Sequence, residues 1–82
     1  MRRDWEISDR YRAMIGALVH ARVRTGIGQR ELARRLGRQP SWLNKIERVE
    51  RRLDLAEFVA IAEALGFEPG ELLALIASDG AS

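Results

Sequence analysis

The stretch that decides the fold is GQRELARRLG at residues 28–37, followed after three residues by SWLNKIER at residues 41–48. Good helix formers dominate the chain, and an alternation of apolar and polar residues with period two never lasts. Gly37 can take the left-handed conformation that ends a helix, and Pro40 suits a first helical turn, where its missing N–H costs nothing. These segments therefore predict two short helices joined by a tight turn, the second ending near Arg48.

Residues that typically begin or end helices lie on either side of this stretch and predict three further helices. Ser8 is a good N-cap for a first helix that ends near Thr25. Asp54 caps a fourth helix, which Gly66 closes, and Pro69 begins a fifth. We therefore expect an all-α fold with five helices.

Length and composition restrict the class of protein. The chain has 82 residues, of which 46% are apolar and none is Cys. A chain of this length holds one small core, and without Cys it has no disulfide framework, thiol nucleophile or thiolate zinc site. No apolar run approaches the ~18 residues that span a bilayer, so a cytoplasmic protein with no membrane association is expected. We expect a single domain over residues 1–82, with a core at about 8–77, an N-terminal extension at 1–7 and a flexible tail at 78–82.

Charge is divided unevenly along the chain. The formal net charge is only +2, but all 14 Lys and Arg lie in residues 1–52, against six acids, which leaves a balance of +8 there. After Arg52 there are six acids and no Lys or Arg, a balance of −6. Such an asymmetry indicates a face that binds a polyanion, and we expect the acidic half to point away from it.

The first helix carries an apolar stripe that contains a charge. The stripe runs from Tyr11 to Val19 at helical spacing, and Arg22 falls on the same line. A guanidinium there must find a carboxylate or extend to solvent. On the third helix Ile46 faces inward and Glu47 lies at the edge of the inner face, so a half-buried Arg22–Glu47 pair is predicted. Two solvated charges are the alternative.

The opposite face of the third helix is polar and contains no acid. It carries Ser41, Asn44, Lys45 and Arg48, preceded by Arg38 and Gln39 and followed by Arg51 and Arg52. Donors of these kinds hydrogen-bond to base edges and phosphates. The pattern alone leaves nucleic-acid contact and an ordinary solvated face equally open.

These segments resemble the Cro and lambda-repressor-like (XRE-type) helix-turn-helix family over about residues 14–75. The likeness includes the small Ala33 where two helices cross, the turn at Gly37, and Ile46 with Glu47 at the seat of the recognition helix. The resemblance implies a compact lambda-repressor-like domain with the helix-turn-helix at helices 2 and 3. It also implies a sequence-specific transcriptional regulator of double-stranded DNA, a repressor that binds a pseudo-palindromic operator as a homodimer. The alternative is an antitoxin-like or other protein-interaction module that uses the same fold to bind a protein partner.

The resemblance also assigns roles to individual residues. The positions expected to face bases are Pro40, Ser41, Asn44 and Lys45. Those expected to meet phosphates are Gln29, Arg38, Gln39 and Arg48, to which the flanking charges add Arg51 and Arg52. Gln29 could instead be a simple N-terminal cap. Arg22 and Glu47 match the family's buried ion pair.

The fifth helix has a broader apolar surface than one small core needs. It contains Leu72, Leu73, Leu75 and Ile76, which we expect at a dimer interface. The alternative is that this helix only covers the core. The N-terminal extension, with Trp5, could add to either interface.

Two positions, Val49 and Pro40, depart from the usual pattern of the family, and the role of a third, Trp42, has two alternatives. The β-branched Val49 stands where glycine is usual, so the turn there must differ or be strained. Pro40 has no hydrogen-bonding side chain, which leaves Ser41, Asn44 and Lys45 to read bases directly. Trp42 either packs against the core or leans on the sugar-phosphate backbone.

Catalytic and metal chemistry find little support in the sequence. His20 is the single histidine, and no Ser or Asp is spaced to form a recognisable triad with it. The carboxylates are scattered and no Cys is available as a ligand. We therefore expect no enzyme, no metal and no cofactor.

Overall fold

The computed structural model describes residues 7–79, which form five α-helices and no strand. The helices are α1 (Asp9–Thr25), α2 (Gln29–Arg35), α3 (Pro40–Glu47), α4 (Leu55–Ala64) and α5 (Pro69–Asp79). The all-α prediction and the places of the five helices are confirmed. Helix α5 includes residues 78 and 79, which the sequence assigned to the tail, whereas residues 1–6, with Trp5, and 80–82 lie outside the described residues.

Helices α1 and α4 begin where side-chain caps satisfy free N–H groups of the first turn. The Ser8 hydroxyl accepts a hydrogen bond from the Tyr11 N–H at 3.0 Å. At α4 the Asp54 carboxylate accepts from the Glu57 N–H at 2.7 Å, and the Glu57 carboxylate accepts from the Asp54 N–H at 3.1 Å. This reciprocal capping box satisfies two donors at once. Pro40 occupies the first turn of α3, as the sequence predicted.

One apolar core joins the helices. Helix α1 packs against α3 and α5, α2 against α3 and α4, and α4 against α5. The largest fully buried side chains are Phe58, Leu32, Leu43, Ile46 and Ile61. Because α2 and α3 both bury side chains in this core, their mutual angle is fixed by the same packing that stabilises the domain.

The four α5 residues predicted for a dimer interface fall into a buried pair and an exposed pair. Leu72 and Ile76 are only 8% and 6% exposed because they pack into the chain's own core, although both also line a groove between α1 and α5, so their place at a dimer interface stays a prediction. Leu73 and Leu75 point outward and are 42% and 66% exposed. Leu73 and Leu75 are thus the two members of the predicted set that remain exposed in the single chain.

The turn after α3 keeps a left-handed residue although glycine is absent. Val49 has φ +60°, and the Glu50 N–H donates to the Lys45 carbonyl at 2.8 Å, which closes the helix. A β-branched residue strongly disfavours this conformation. The Val49 side chain packs partly buried against the core. The strained alternative predicted from the sequence is therefore the one that occurs.

Val49→Gly and Val49→Ala both remove the packed side chain, but only glycine removes the steric penalty of a positive φ. We expect the glycine variant to exceed the alanine variant by about 1 kcal/mol in free energy of unfolding, measured in urea. Gly16 is a matched control, since it lies inside α1 with open space for a Cβ. There alanine should be the more stable residue by about 0.5–1 kcal/mol. Equal stability of the two Val49 variants would contradict a strained turn.

Candidate nucleic-acid interface

Helices α2 and α3 form a helix-turn-helix whose turn is closed by backbone hydrogen bonds. Gly37 has φ +69°, and the Arg38 N–H donates to the Ala33 carbonyl at 2.8 Å. Ala33 is fully buried. A larger side chain at this position would force α2 and α3 apart. This arrangement fixes the position at which α3 begins.

The outer face of α3 presents the four side chains predicted to contact bases. Pro40, Ser41 and Lys45 are exposed, and Asn44 is half-buried. The inner face holds Leu43 and Ile46, each 1% exposed. No ion pair of Lys45 occurs within residues 7–79. An α-helix of this width fits the major groove of DNA, where such side chains reach base edges.

A bidentate ion pair connects α1 to the end of α3. Arg22 Nε and Nη2 donate to Glu47 Oε2 and Oε1 at 2.6 and 2.9 Å. Their side chains are 13% and 11% exposed. Arg22 Nη1 also donates to the Ile27 carbonyl at 3.0 Å, which fixes the loop between α1 and α2. The structure thus forms the pair that the charge in the apolar stripe predicted.

Two side-chain amides continue this pair toward the outer face of α3. Gln29 Nε2 donates to Glu47 Oε1 at 2.7 Å, and Asn44 Nδ2 donates to Gln29 Oε1 at 3.3 Å. Gln29 is the first residue of α2, and the N-cap residue Gly28 has no side chain to act as a cap. The predicted phosphate contact Gln29 and the predicted base contact Asn44 therefore belong to one hydrogen-bond chain.

A cluster of two arginines and one tryptophan lies beside α3. Arg38 and Arg51 place their guanidinium carbons 4.8 and 5.9 Å from the centroid of the Trp42 ring. Such distances are those of cation–π contacts. Trp42 is half-buried and packs against the core, and its Nε1 is buried without a hydrogen-bond partner among the described residues. In this structure the ring is a packing residue beneath the two arginines.

Glu57 lies inside this basic cluster, although the sequence placed the acids after Arg52 on the side facing away. Arg51 Nη1 and Nη2 donate to the two Glu57 oxygens at 3.0 Å each, and Arg38 Nη2 lies 3.7 Å from Oε2. The hydrogen bonds from Arg51 lower the pKa of Glu57 and raise the pKa of Arg51. The expectation is wrong for Glu57 because the first turn of α4 lies directly beside the loop that carries Arg51. The capping-box spacing of Asp54 and Glu57 was the signal that could have located it.

The remaining predicted phosphate contacts lie at the surface. Arg48 Nη2 is 3.2 Å from Glu50 Oε2, while Arg52 and Gln39 are exposed on either side of α3. Arg38, Arg48 and Arg51 therefore each have a carboxylate neighbour in the chain. Of the three, Arg51 is held by two hydrogen bonds to Glu57, whereas Arg38 and Arg48 make single ion-pair contacts and are 47% and 65% exposed.

Two other arginines, on α2, are held by an acid of their own helix. Arg34 and Arg35 both donate to the Glu31 carboxylate, with distances of 2.6 to 3.0 Å. The hydrogen bonds from Arg34 and then Arg35 lower the pKa of Glu31 to about 2. Arg35 Nη1 also donates to the Ala64 carbonyl at 3.4 Å, so it joins α2 to α4.

Comparison with known proteins agrees with this geometry. The family described as "Helix-turn-helix domain" matches residues 16–76. An XRE-family like protein from Pseudomonas syringae pv. tomato str. DC3000 has 43% sequence identity and a TM-score of 0.83, with 85% of each chain covered. The chain matches no curated protein.

Two crystal structures of the clp gene regulator ClgR from Corynebacterium glutamicum are also similar. Their identities are 26% and 25%, and their TM-scores are 0.77 and 0.75. The alignments cover 90% and 89% of this chain and 79% and 95% of the other chains. The same five-helix architecture is therefore kept at lower identity.

The two packed helices, the acid-free outer face of α3 and the family match define an all-α helix-turn-helix domain of the DNA-binding class. Within that class, the chain belongs to the XRE-type helix-turn-helix family of transcriptional regulators. No helix among residues 7–79 combines the length and apolar character that a membrane span requires.

Replacing the cluster's acid by Glu57→Gln should weaken the fold in a pH-dependent way. At pH 7 we expect a loss of about 1 kcal/mol in free energy of unfolding, because two charge-assisted hydrogen bonds are weakened. The pKa of Glu57 in the folded chain lies below its ordinary value of 4.5. Its contribution is therefore complete above that pH and is lost as the pH falls through the lowered pKa.

Urea unfolding of wild type and variant at pH 7 and about pH 3 measures this effect, and the difference should shrink at the lower pH. Glu63→Gln is the control, because Glu63 is exposed on the same helix and has no ion pair within residues 7–79. A Glu57→Gln difference that is the same at both pH values would contradict the assignment.

Proposed function

We propose that this chain is a sequence-specific repressor that inserts α3 into the major groove of double-stranded DNA. The observation that carries the proposal is the outer face of α3, where Pro40, Ser41, Asn44 and Lys45 face away from the core and no carboxylate interrupts them. Base edges in the major groove are read by hydrogen-bonding and small apolar side chains of this kind. Ser41, Asn44 and Lys45 supply the hydrogen bonds, and Pro40 supplies shape.

Phosphate contacts from the flanking residues would fix the register of α3 on the duplex. Gln39 and Arg52 are exposed, and Arg38, Arg48 and Arg51 lie beside the carboxylates of Glu57 and Glu50. Exposed ion pairs are worth only about 0–1 kcal/mol, so an arriving phosphate can share or replace the carboxylate. Such contacts release counterions, and DNA affinity should therefore fall log-linearly with salt.

Lys45→Ala should weaken binding to a selected operator by about tenfold while changing binding to random duplex much less, because a good base contact discriminates by about 1–3 kcal/mol. Fluorescence anisotropy on both duplexes measures the two affinities. Arg52→Ala is the matched control, since loss of a phosphate contact should weaken both duplexes equally and reduce the salt slope by about 1. Equal losses on the two duplexes for Lys45→Ala would rule out its base-reading role.

We also propose that two copies bind together through α5. Leu73 and Leu75 are exposed on that helix, and Leu75 with Phe67 lines a groove of about 710 Å³ between α1 and α5. Apolar side chains of this size are buried when a second copy covers them. A two-fold pair would present its two α3 helices to half-sites about 34 Å apart, which is the spacing of a pseudo-palindromic operator.

Leu75→Glu should convert the dimer to a folded monomer, because Leu75 is 66% exposed in the single chain and contributes little to its core. Sedimentation at micromolar concentration measures the oligomeric state. Leu55→Glu is the matched control: Leu55 is 68% exposed but lies on α4, and this variant should remain dimeric. A wild-type chain that sediments as a monomer would remove the two-half-site arrangement.

A second candidate function is an antitoxin-like or other protein-interaction module, and the groove between α1 and α5 favours it because a different protein could occupy the same surface. A module of that kind needs no phosphate contacts. Duplex affinity that does not fall with salt, or no affinity for duplex DNA, would favour this function over the repressor.

A further inference from the structure

We infer that Asn44 reads an adenine, and that a hydrogen-bond relay from the Arg22–Glu47 pair through Gln29 sets the orientation of its side-chain amide. The inference rests on the proposed function, because it specifies the base preferred by one position of the α3 outer face.

The buried end of the relay has a fixed polarity. Both oxygens of Glu47 accept from Arg22, at 2.6 and 2.9 Å, and a carboxylate in such a pair offers only acceptors. A neighbouring amide can bond to it only through its NH₂ group. Gln29 does so, with Nε2 2.7 Å from Glu47 Oε1.

The hydrogen bond to Glu47 determines which group of Gln29 faces Asn44, and hence which group of Asn44 faces Gln29. With its NH₂ group on Glu47, Gln29 directs Oε1 toward α3, and this oxygen can only accept. Asn44 must therefore present its own NH₂ group, and Nδ2 lies 3.3 Å from Gln29 Oε1. The need to match donors with acceptors thus sets the orientation of both side-chain amides. An isolated amide could adopt either of its two flipped orientations.

The outward side of Asn44 then shows one acceptor and one donor. Oδ1 is unused by the relay, and Nδ2 keeps its second hydrogen. Adenine offers a donor at N6 beside an acceptor at N7, which matches this pair in two hydrogen bonds. Guanine offers two acceptors and no donor in the major groove, so Asn44 could donate to it through the second Nδ2 hydrogen, but Oδ1 would then face an acceptor unless the whole NH₂ group turned outward. The relay opposes that turn, because it would place Oδ1 against Gln29 Oε1.

The relay is sheltered enough to hold its geometry. Asn44 and Gln29 are half-buried, and the Glu47 side chain is 11% exposed. Hydrogen bonds in such surroundings are stronger than in water, and connected ones polarise each other. Three helices contribute to the relay, so the base preference of α3 depends on residues outside α3.

The test is selection of bound duplexes from a random pool by the full chain, followed by anisotropy on the best duplex. Asn44→Ala should remove the adenine preference at one position of each half-site, lowering the ratio of adenine to guanine affinity about fivefold or more. Gln29→Ala should reduce the preference at the same position. Gln29→Met, which keeps the length of the side chain, repeats the test if the alanine variant is less stable. Glu63→Gln is the control: Glu63 is exposed on α4, outside the relay and the proposed DNA contacts, and this variant should leave the adenine preference unchanged.

A change on the DNA side checks the contact independently. Replacing that adenine by 7-deazaadenine removes N7, which should weaken binding of wild type but not of Asn44→Ala. If both Gln29 variants keep the full adenine preference, the relay is wrong, even though Asn44 reads the base. If Asn44→Ala keeps every base preference, Asn44 does not read DNA, while the proposed function stands on the remaining contacts. Failure of the wild type to enrich any duplex would overturn both proposals.

Discussion

The Arg22–Glu47 pair is the interaction on which the rest of the interface depends. Glu47 is the last residue of α3, where the negative end of the helix dipole disfavours a carboxylate. Arg22 offsets both this repulsion and the loss of water. A half-buried pair of this kind is weak evidence for stability, since apolar residues could fill the same space. Its effect is geometric: it ties α1, the loop at Ile27 and the end of α3 to one point.

The basic surface beside α3 contains two carboxylates, Glu57 and Glu50, which pair with its arginines. Glu57 holds Arg51 through two hydrogen bonds before DNA arrives, and Arg38 and Arg48 lie beside Glu57 and Glu50. Ordering long side chains in advance reduces the entropy lost on binding. The same carboxylates weaken the attraction of these arginines for any phosphate. Weaker phosphate contacts lower specific and non-specific affinity alike, so a larger share of the specific affinity comes from base contacts.

The sequence predicted those features that depend on local chemistry. Helix ends were marked by Ser8, Asp54 and Pro40, and the ion pair by a charge within an apolar stripe. The parts played by the α5 side chains and by the first turn of α4 were not predicted, because they depend on neighbours that the sequence pattern does not specify. Leu72 and Ile76 could not be told apart from Leu73 and Leu75, because apolar content does not say which residues the core needs. The place of Glu57 and the contacts of the Gln29 amide likewise depend on side chains brought together by tertiary packing.

The hydrogen bond between Gln29 and Asn44 has a consequence for how such domains diverge. Side chains such as Ser41 and Lys45 point into solvent and can be exchanged one at a time without disturbing the core. Asn44 differs, because its partner lies on another helix. Transplanting the outer face of α3 into a related scaffold would carry over the exposed contacts but not the orientation of this amide. A change of target sequence at that base would require coordinated substitution at positions 29 and 44.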